Sequence, residues 1–66
     1  MEVVVNGKRV SVTEGSNLLD LLRVRGLDPA VVVAEVNRSI VTRDSFGGHA
    51  LHDGDTVDIL RFVGGG

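Results

Sequence analysis

The chain has 66 residues, 42% of them apolar and only two aromatic, and nine acidic against seven basic side chains give a formal net charge of -2. A chain of this size buries only about 60% of its unfolded surface, so one small domain with an aliphatic core and little room for an internal active site is expected. The balanced charge, without a basic run, lacks the electrostatic footprint of a nucleic-acid binder, and the absence of cysteine excludes disulfides, thiolate metal ligands and a cysteine nucleophile.

The opening residues MEVVVNGK carry no basic leader, and no apolar run approaches the ~20 residues of a membrane span, so a soluble cytoplasmic protein without a membrane partner is expected. EVVV at 2–5 is β-branched, Asn6-Gly7 suits a two-residue hairpin because both residues accept positive φ, and KRVSVT then alternates; residues 1–13 read as a β-hairpin. Glu14-Gly15 breaks the strand. Ser16 then offers a cap for a helix of about ten residues, NLLDLLRVRG, whose Leu18, Leu21 and Leu22 fall on one face, with Leu19 widening the stripe and Gly26 ending it. A helix this short must lie on the sheet.

Asp28-Pro29 is a turn, VVVAEV at 31–36 is a strand apolar on both faces apart from Glu35, and Ile40-Val41 make a short strand. The following RDSFGGHALHDGD reads as irregular, with a turn at Asp53-Gly54-Asp55, and TVDILRFV at 56–63 is the last strand. Strand, strand, helix, strand, short strand, strand, with the last returning beside the first, predicts an α+β fold of the β-grasp type: a mixed sheet of four to five strands under one main helix. Residues 1–63 are expected to form the domain and 64–66 a flexible glycine tail.

Alternation in the last strand puts Val57 and Ile59 toward the helix and Asp58, Leu60 and Phe62 on the open face. Leu60 and Phe62, continued by Val63 and Gly64, are the candidate partner-binding residues; the plainer alternative is scattered exposed apolar side chains. Beyond Val63 the glycines extend about 10 Å with no Cβ to block a narrow slot. They end in an α-carboxylate, inert until activated, most simply by attack on the α-phosphate of ATP. No Gly-rich phosphate loop is present, so a partner would supply that chemistry. On the glycines alone, a frayed end is the competing reading.

Other constellations are weaker. His49 and His52, with Asp53 and Asp55 nearby, could be written as a metal site, but the glycine-containing loop lacks fixed ligand geometry; DGD reads as a turn, not a calcium loop. Asp44, Asp53, Asp55 and Asp58 fall in a stretch without lysine or arginine, either a solvated surface or a patch that steers docking to a basic enzyme. Ser16 and Ser39 have no histidine and acid placed to serve them, so no intrinsic enzyme is expected.

VNGK in the hairpin, EG and LLDLL at the helix, AEVN before IVTR, the DGD turn and the terminal FVGGG stand together in the order and spacing of the ThiS family, and the chain resembles it over nearly all 66 residues. Thr42 departs from the proline common there. The resemblance implies a ubiquitin-like sulfur carrier, not a catalyst. An E1-like adenylyltransferase of the ThiF type would activate the Gly66 carboxylate, a persulfide donor would convert it to a thiocarboxylate, and a thiazole synthase of the ThiG type would receive the sulfur. It further implies that Gly65 and Gly66 are the threaded pair, and that no cofactor is held by the chain itself, ATP and magnesium being used by the activating partner. The small subunit of molybdopterin synthase and a protein-conjugating modifier share the diglycine ending. A plain β-grasp interaction or RNA-binding module remains a reading from another class. A monomer associating in passing is expected, the candidate patch being small.

Overall fold

The computed structural model describes residues 1–62. Val63, Gly64, Gly65 and Gly66 lie outside the described residues, and with them the boundary expected at 63–64. Five strands, β1 (Glu2–Val5), β2 (Lys8–Ser11), β3 (Val32–Val36), β4 (Ser39–Val41) and β5 (Thr56–Arg61), form one sheet in the order β2-β1-β5-β3-β4, and α1 (Leu18–Val24) packs on one side of it. β5 runs parallel to β1 and antiparallel to β3; the β1–β2 and β3–β4 pairs are antiparallel. This is the expected mixed β-grasp sheet with the last strand in its centre.

Local chemistry accounts for the elements. Asn6 and Gly7 adopt φ of 49° and 84°, as a primed hairpin turn requires. The β3–β4 turn uses Asn37 and Arg38 at φ of 51° and 71°. The helix is shorter than expected, seven residues, and its N-cap is Asn17, not Ser16. Asn17 Oδ1 accepts from Asp20 N at 2.8 Å while Asp20 Oδ2 accepts from Asn17 N at 3.0 Å, a reciprocal capping box that satisfies two donors left free by the first turn. Gly26, at φ of 70°, stands just past the helix as expected.

The core faces α1. Val3, Val5, Val57, Ile59, Val32, Ala34 and Val36 from the sheet meet Leu18, Leu21 and Leu22 from the helix, all buried. The segment expected to be irregular contributes as well. Arg43–Gly48 winds as a 3-10 helix that inserts Phe46 into the core at 2% exposure, with Leu51 beside it. Backbone bonds tie it to the helix start, Leu18 N donating to His49 O at 2.9 Å and Leu51 N to Ser16 O at 2.9 Å. The long apparent loop is therefore part of the packed layer.

Two asparagines hold the central strand where its neighbours run out. At one end Asn6 N donates to Val57 O, and Asn6 Oδ1 accepts from Ile59 N at 2.8 Å, so the side chain supplies the rung that β1 no longer reaches. At the other, Asn37 N donates to Thr56 O while Asn37 Oδ1 accepts from Thr56 N at 3.0 Å. Backbone N–H groups that the neighbouring strand does not reach need partners, and these two side chains provide them.

Candidate functional site

The sheet face turned away from α1 has no covering layer among the described residues. Strand alternation places Val33 and Glu35 of β3, Ile40 of β4 and Asp58 and Leu60 of β5 on it, and the register sets Val33 opposite Leu60, Glu35 opposite Asp58, and Ile40 opposite Glu35. Leu60 is 70% exposed, Ile40 69% and Phe62, the last described residue, 57%. These are three of the four large apolar side chains exposed among the described residues, the fourth being Val24 on the helix. Concentration on one face separates this arrangement from the scattered exposure of an ordinary surface.

The end of β5 is held by one neighbour. Its pairing to β1 stops at Val57, whereas β3 follows it to Arg61, and Phe62 N still donates to Val31 O at 2.7 Å. Among the described residues, the other edge of β5 has no strand beside it beyond Asn6. Leu60 and Phe62 thus sit, as expected from the sequence, on an exposed strand end that leads toward residues 63–66. Gly64, Gly65, Gly66 and Val63 themselves are outside the described residues.

The acidic stretch divides. Asp53 Oδ1 accepts from Glu2 N at 2.7 Å, and the adjacent Gly54, at φ of 87°, donates its N–H to Glu2 O, so this turn is stitched to the first strand. Asp55 accepts from Asn37 Nδ2 at 3.0 Å and from His52 N at 2.8 Å. Burial is the largest influence on its carboxyl and pushes the pKa up. The Asn37 amide, the His52 backbone N–H and the His52 and His49 rings outweigh it, and the group lies below its ordinary 3.8. Asp53 and Asp55 serve the fold; Asp44, on the 3-10 helix, and Asp58 are exposed.

The histidines stand apart from this face. His52, 79% exposed, has its Nδ1 at 3.9 Å from Asp55 Oδ2, and no set of three His, Asp or Glu side chains among the described residues is placed around a common cation position. Ser16 and Ser39 are not brought near either histidine by any described hydrogen bond: the Ser16 carbonyl accepts from Leu51 and Ser39 opens β4. What the face offers is exposed apolar surface beside a strand end.

Glu35, Val33, Ile40 and the supporting Asn6 did not stand out in the sequence. The signal available was Glu35 alone, the one charge in an otherwise apolar strand. Its juxtaposition with Asp58 depends on the β3–β5 register, which no local pattern fixes.

Comparison with known proteins agrees with this architecture. The family model described as the ThiS family matches residues 2–66. The sulfur carrier protein ThiS of Bacillus subtilis is 33% identical over 63 residues, 94% of this chain and 96% of that protein. Thiazole synthases of Magnetococcus marinus and Paramagnetospirillum magneticum are 32% and 35% identical over all 66 residues, and the chain spans 20% of the length of each. The crystal structure of a thiamine biosynthesis protein (ThiS) from Geobacter metallireducens superposes with a TM-score of 0.85 at 35% identity, covering both chains completely. No helix among the described residues is long and apolar enough to cross a membrane. By sequence over its whole length and by fold, the chain belongs to the ThiS family.

Proposed function

We propose that the chain is a sulfur carrier for the thiazole ring of thiamine, with the α-carboxylate of Gly66 as its reactive group. The observation that supports this best is the ThiS family match through residues 2–66, joined by a curated sulfur carrier of nearly the same length. Similarity to segments of two thiazole synthases favours thiazole formation over the other diglycine readings.

A carboxylate resists substitution because oxide is a poor leaving group. Attack of a Gly66 carboxylate oxygen on the α-phosphorus of ATP, with magnesium on the phosphates, forms an acyl-adenylate and expels pyrophosphate. The terminal sulfur of a persulfide then attacks the carbonyl carbon and displaces AMP. A thiol then attacks the donor's sulfur in the resulting acyl disulfide, forming a new disulfide with it and releasing a thiocarboxylate, a better nucleophile than the parent acid, for a thiazole synthase of the ThiG type. An E1-like adenylyltransferase of the ThiF type performs the activation and holds the ATP and magnesium.

On this reading the chain is carrier and substrate, working in the cytoplasm. It supplies position: Leu60, Phe62 and Val63 dock, and Gly64 to Gly66 pass into a slot that side chains would block. Deleting Gly65 and Gly66 tests it. The shortened chain keeps its circular dichroism and melting temperature while ATP–pyrophosphate exchange by the adenylating partner disappears. Undiminished exchange, or isopeptide-linked conjugates formed by the intact chain, overturns the reading.

A further inference from the structure

The chain has three asparagines, and the Oδ1 of each accepts from a backbone N–H: Asn6 from Ile59, Asn17 from Asp20 and Asn37 from Thr56. They differ in the rest of the amide. Asn17 Nδ2 donates to Gly47 O and Asn37 Nδ2 to Asp55 Oδ1, both at 3.0 Å, whereas among the described residues no acceptor meets Asn6 Nδ2. They differ also in the residue that follows. Leu18 N is engaged, donating to His49 O at 2.9 Å, and Arg38 brings a long side chain next to its own nitrogen. Gly7, after Asn6, has nothing within 4 Å of the place a Cβ would take, and its N–H meets no acceptor among the described residues. Both Asn6 and Gly7 are exposed. A free leaving group, an amide carbon and an unhindered nitrogen therefore come together at the tip of the β1–β2 hairpin and at neither of the other asparagines.

We propose that Asn6 is a deamidation site and that the hairpin sets its rate. The Gly7 amide nitrogen, after giving its proton to hydroxide, bonds to Asn6 Cγ; the Cγ–Nδ2 bond breaks and ammonia leaves with a proton taken from water. The product is a succinimide ring. Water then opens the ring at either carbonyl, giving aspartate or isoaspartate at position 6, and nothing is oxidised or reduced.

Two features of the fold hold the reaction back. The φ of 49° at Asn6 and 84° at Gly7 mark a type I′ turn. The first central residue of such a turn has ψ of about +30°, whereas ring closure needs the Gly7 nitrogen to eclipse Asn6 Cβ, at ψ of about −120° as in a type II′ turn. The peptide between the two residues must flip before the ring can form. The second restraint is the 2.8 Å hydrogen bond from Ile59 N, which holds the side-chain carbonyl against β5. Unfolding removes both. The two products leave different structures behind. Aspartate keeps an oxygen for Ile59 N, but isoaspartate carries the main chain through the former side chain, adds a methylene to a two-residue turn and takes the acceptor from Ile59. Either one puts a further carboxylate on the cleft that Asn6 lines with Glu35 and Asp58.

The test incubates the full chain in mildly alkaline buffer, folded and in urea that unfolds it, and locates the product by peptide mapping with an isoaspartyl methyltransferase. Modification is expected at Asn6 alone, roughly tenfold or more slower in the folded chain, and Ile59 is expected to exchange its amide hydrogen roughly tenfold faster in the isoaspartyl form than in the parent. Asn6→Asp, the other product, is expected to keep Ile59 exchange within about threefold of the parent. Equal rates in the folded and unfolded chains overturn the proposal, as does modification at Asn17 or Asn37 as fast as at Asn6, or an Asn6 that survives incubation in urea. An isoaspartyl chain in which Ile59 exchanges at the parent rate overturns it too, because the turn would then not depend on that side chain.

Discussion

At the scale of single residues, Asp55 joins two parts of the chain that sequence keeps apart. The Asp53-Gly54-Asp55 turn was legible from its composition, but the hydrogen bond from Asn37, 18 residues earlier, was not, because both residues read locally as ordinary turn formers. The lowered pKa gives the contact a measurable sign. A carboxyl whose folded value lies below its unfolded one stabilises the fold above the ordinary value of 3.8, and that contribution is lost as pH falls through the lowered value. Asp55→Asn is therefore expected to cost about 1–2 kcal/mol at pH 7. The gap from the parent chain should narrow in urea titrations near pH 3; an equal gap at both pH values would mean that charge plays no part.

Among the elements, the start of α1 and the 3-10 helix form one unit. Asn17 caps the helix, and its Nδ2 also donates to Gly47 O at 3.0 Å. Asn17→Ala is expected to destabilise by about 1–2 kcal/mol, the range for loss of a cap, whereas Ser16→Ala is expected to fall within about 0.5 kcal/mol in the same urea titration. The hydrophobic stripe of the helix was readable from Leu18, Leu21 and Leu22, but the choice between Ser16 and Asn17 as cap was not, since both residue types serve and Asp20 decides it from inside the helix. Phe46 is the larger omission. Two following glycines and the absence of periodicity made its segment look loose, although a buried aromatic is what holds it down. Phe46→Ala is expected to cost about 3–5 kcal/mol, a large part of the 5–15 kcal/mol typical of a whole domain. Calorimetry should show a variant mostly unfolded at physiological temperature; a melting temperature within a few degrees of the parent chain would contradict the packing described here.

For the whole molecule, the sheet divides into a buried face and an open one. Val57 and Ile59 build the core, and Asp58 and Leu60, alternating with them on the same strand, stand exposed on the open face, so one strand of six residues both anchors the domain and contributes to its uncovered surface. That alternation was readable in the sequence, which is why Leu60 and Phe62 could be named from it. The contribution of β3 and β4 was not, because Glu35 and Ile40 join the face only through pairing between strands distant in the chain. Intact mass of the chain after incubation with ATP, magnesium, the adenylating partner and a persulfide donor tests the carrier role most directly. The predicted result is a gain equal to the exchange of one oxygen for one sulfur, abolished by removal of Gly66; an unchanged mass, with a partner demonstrably active on its own carrier, would contradict it.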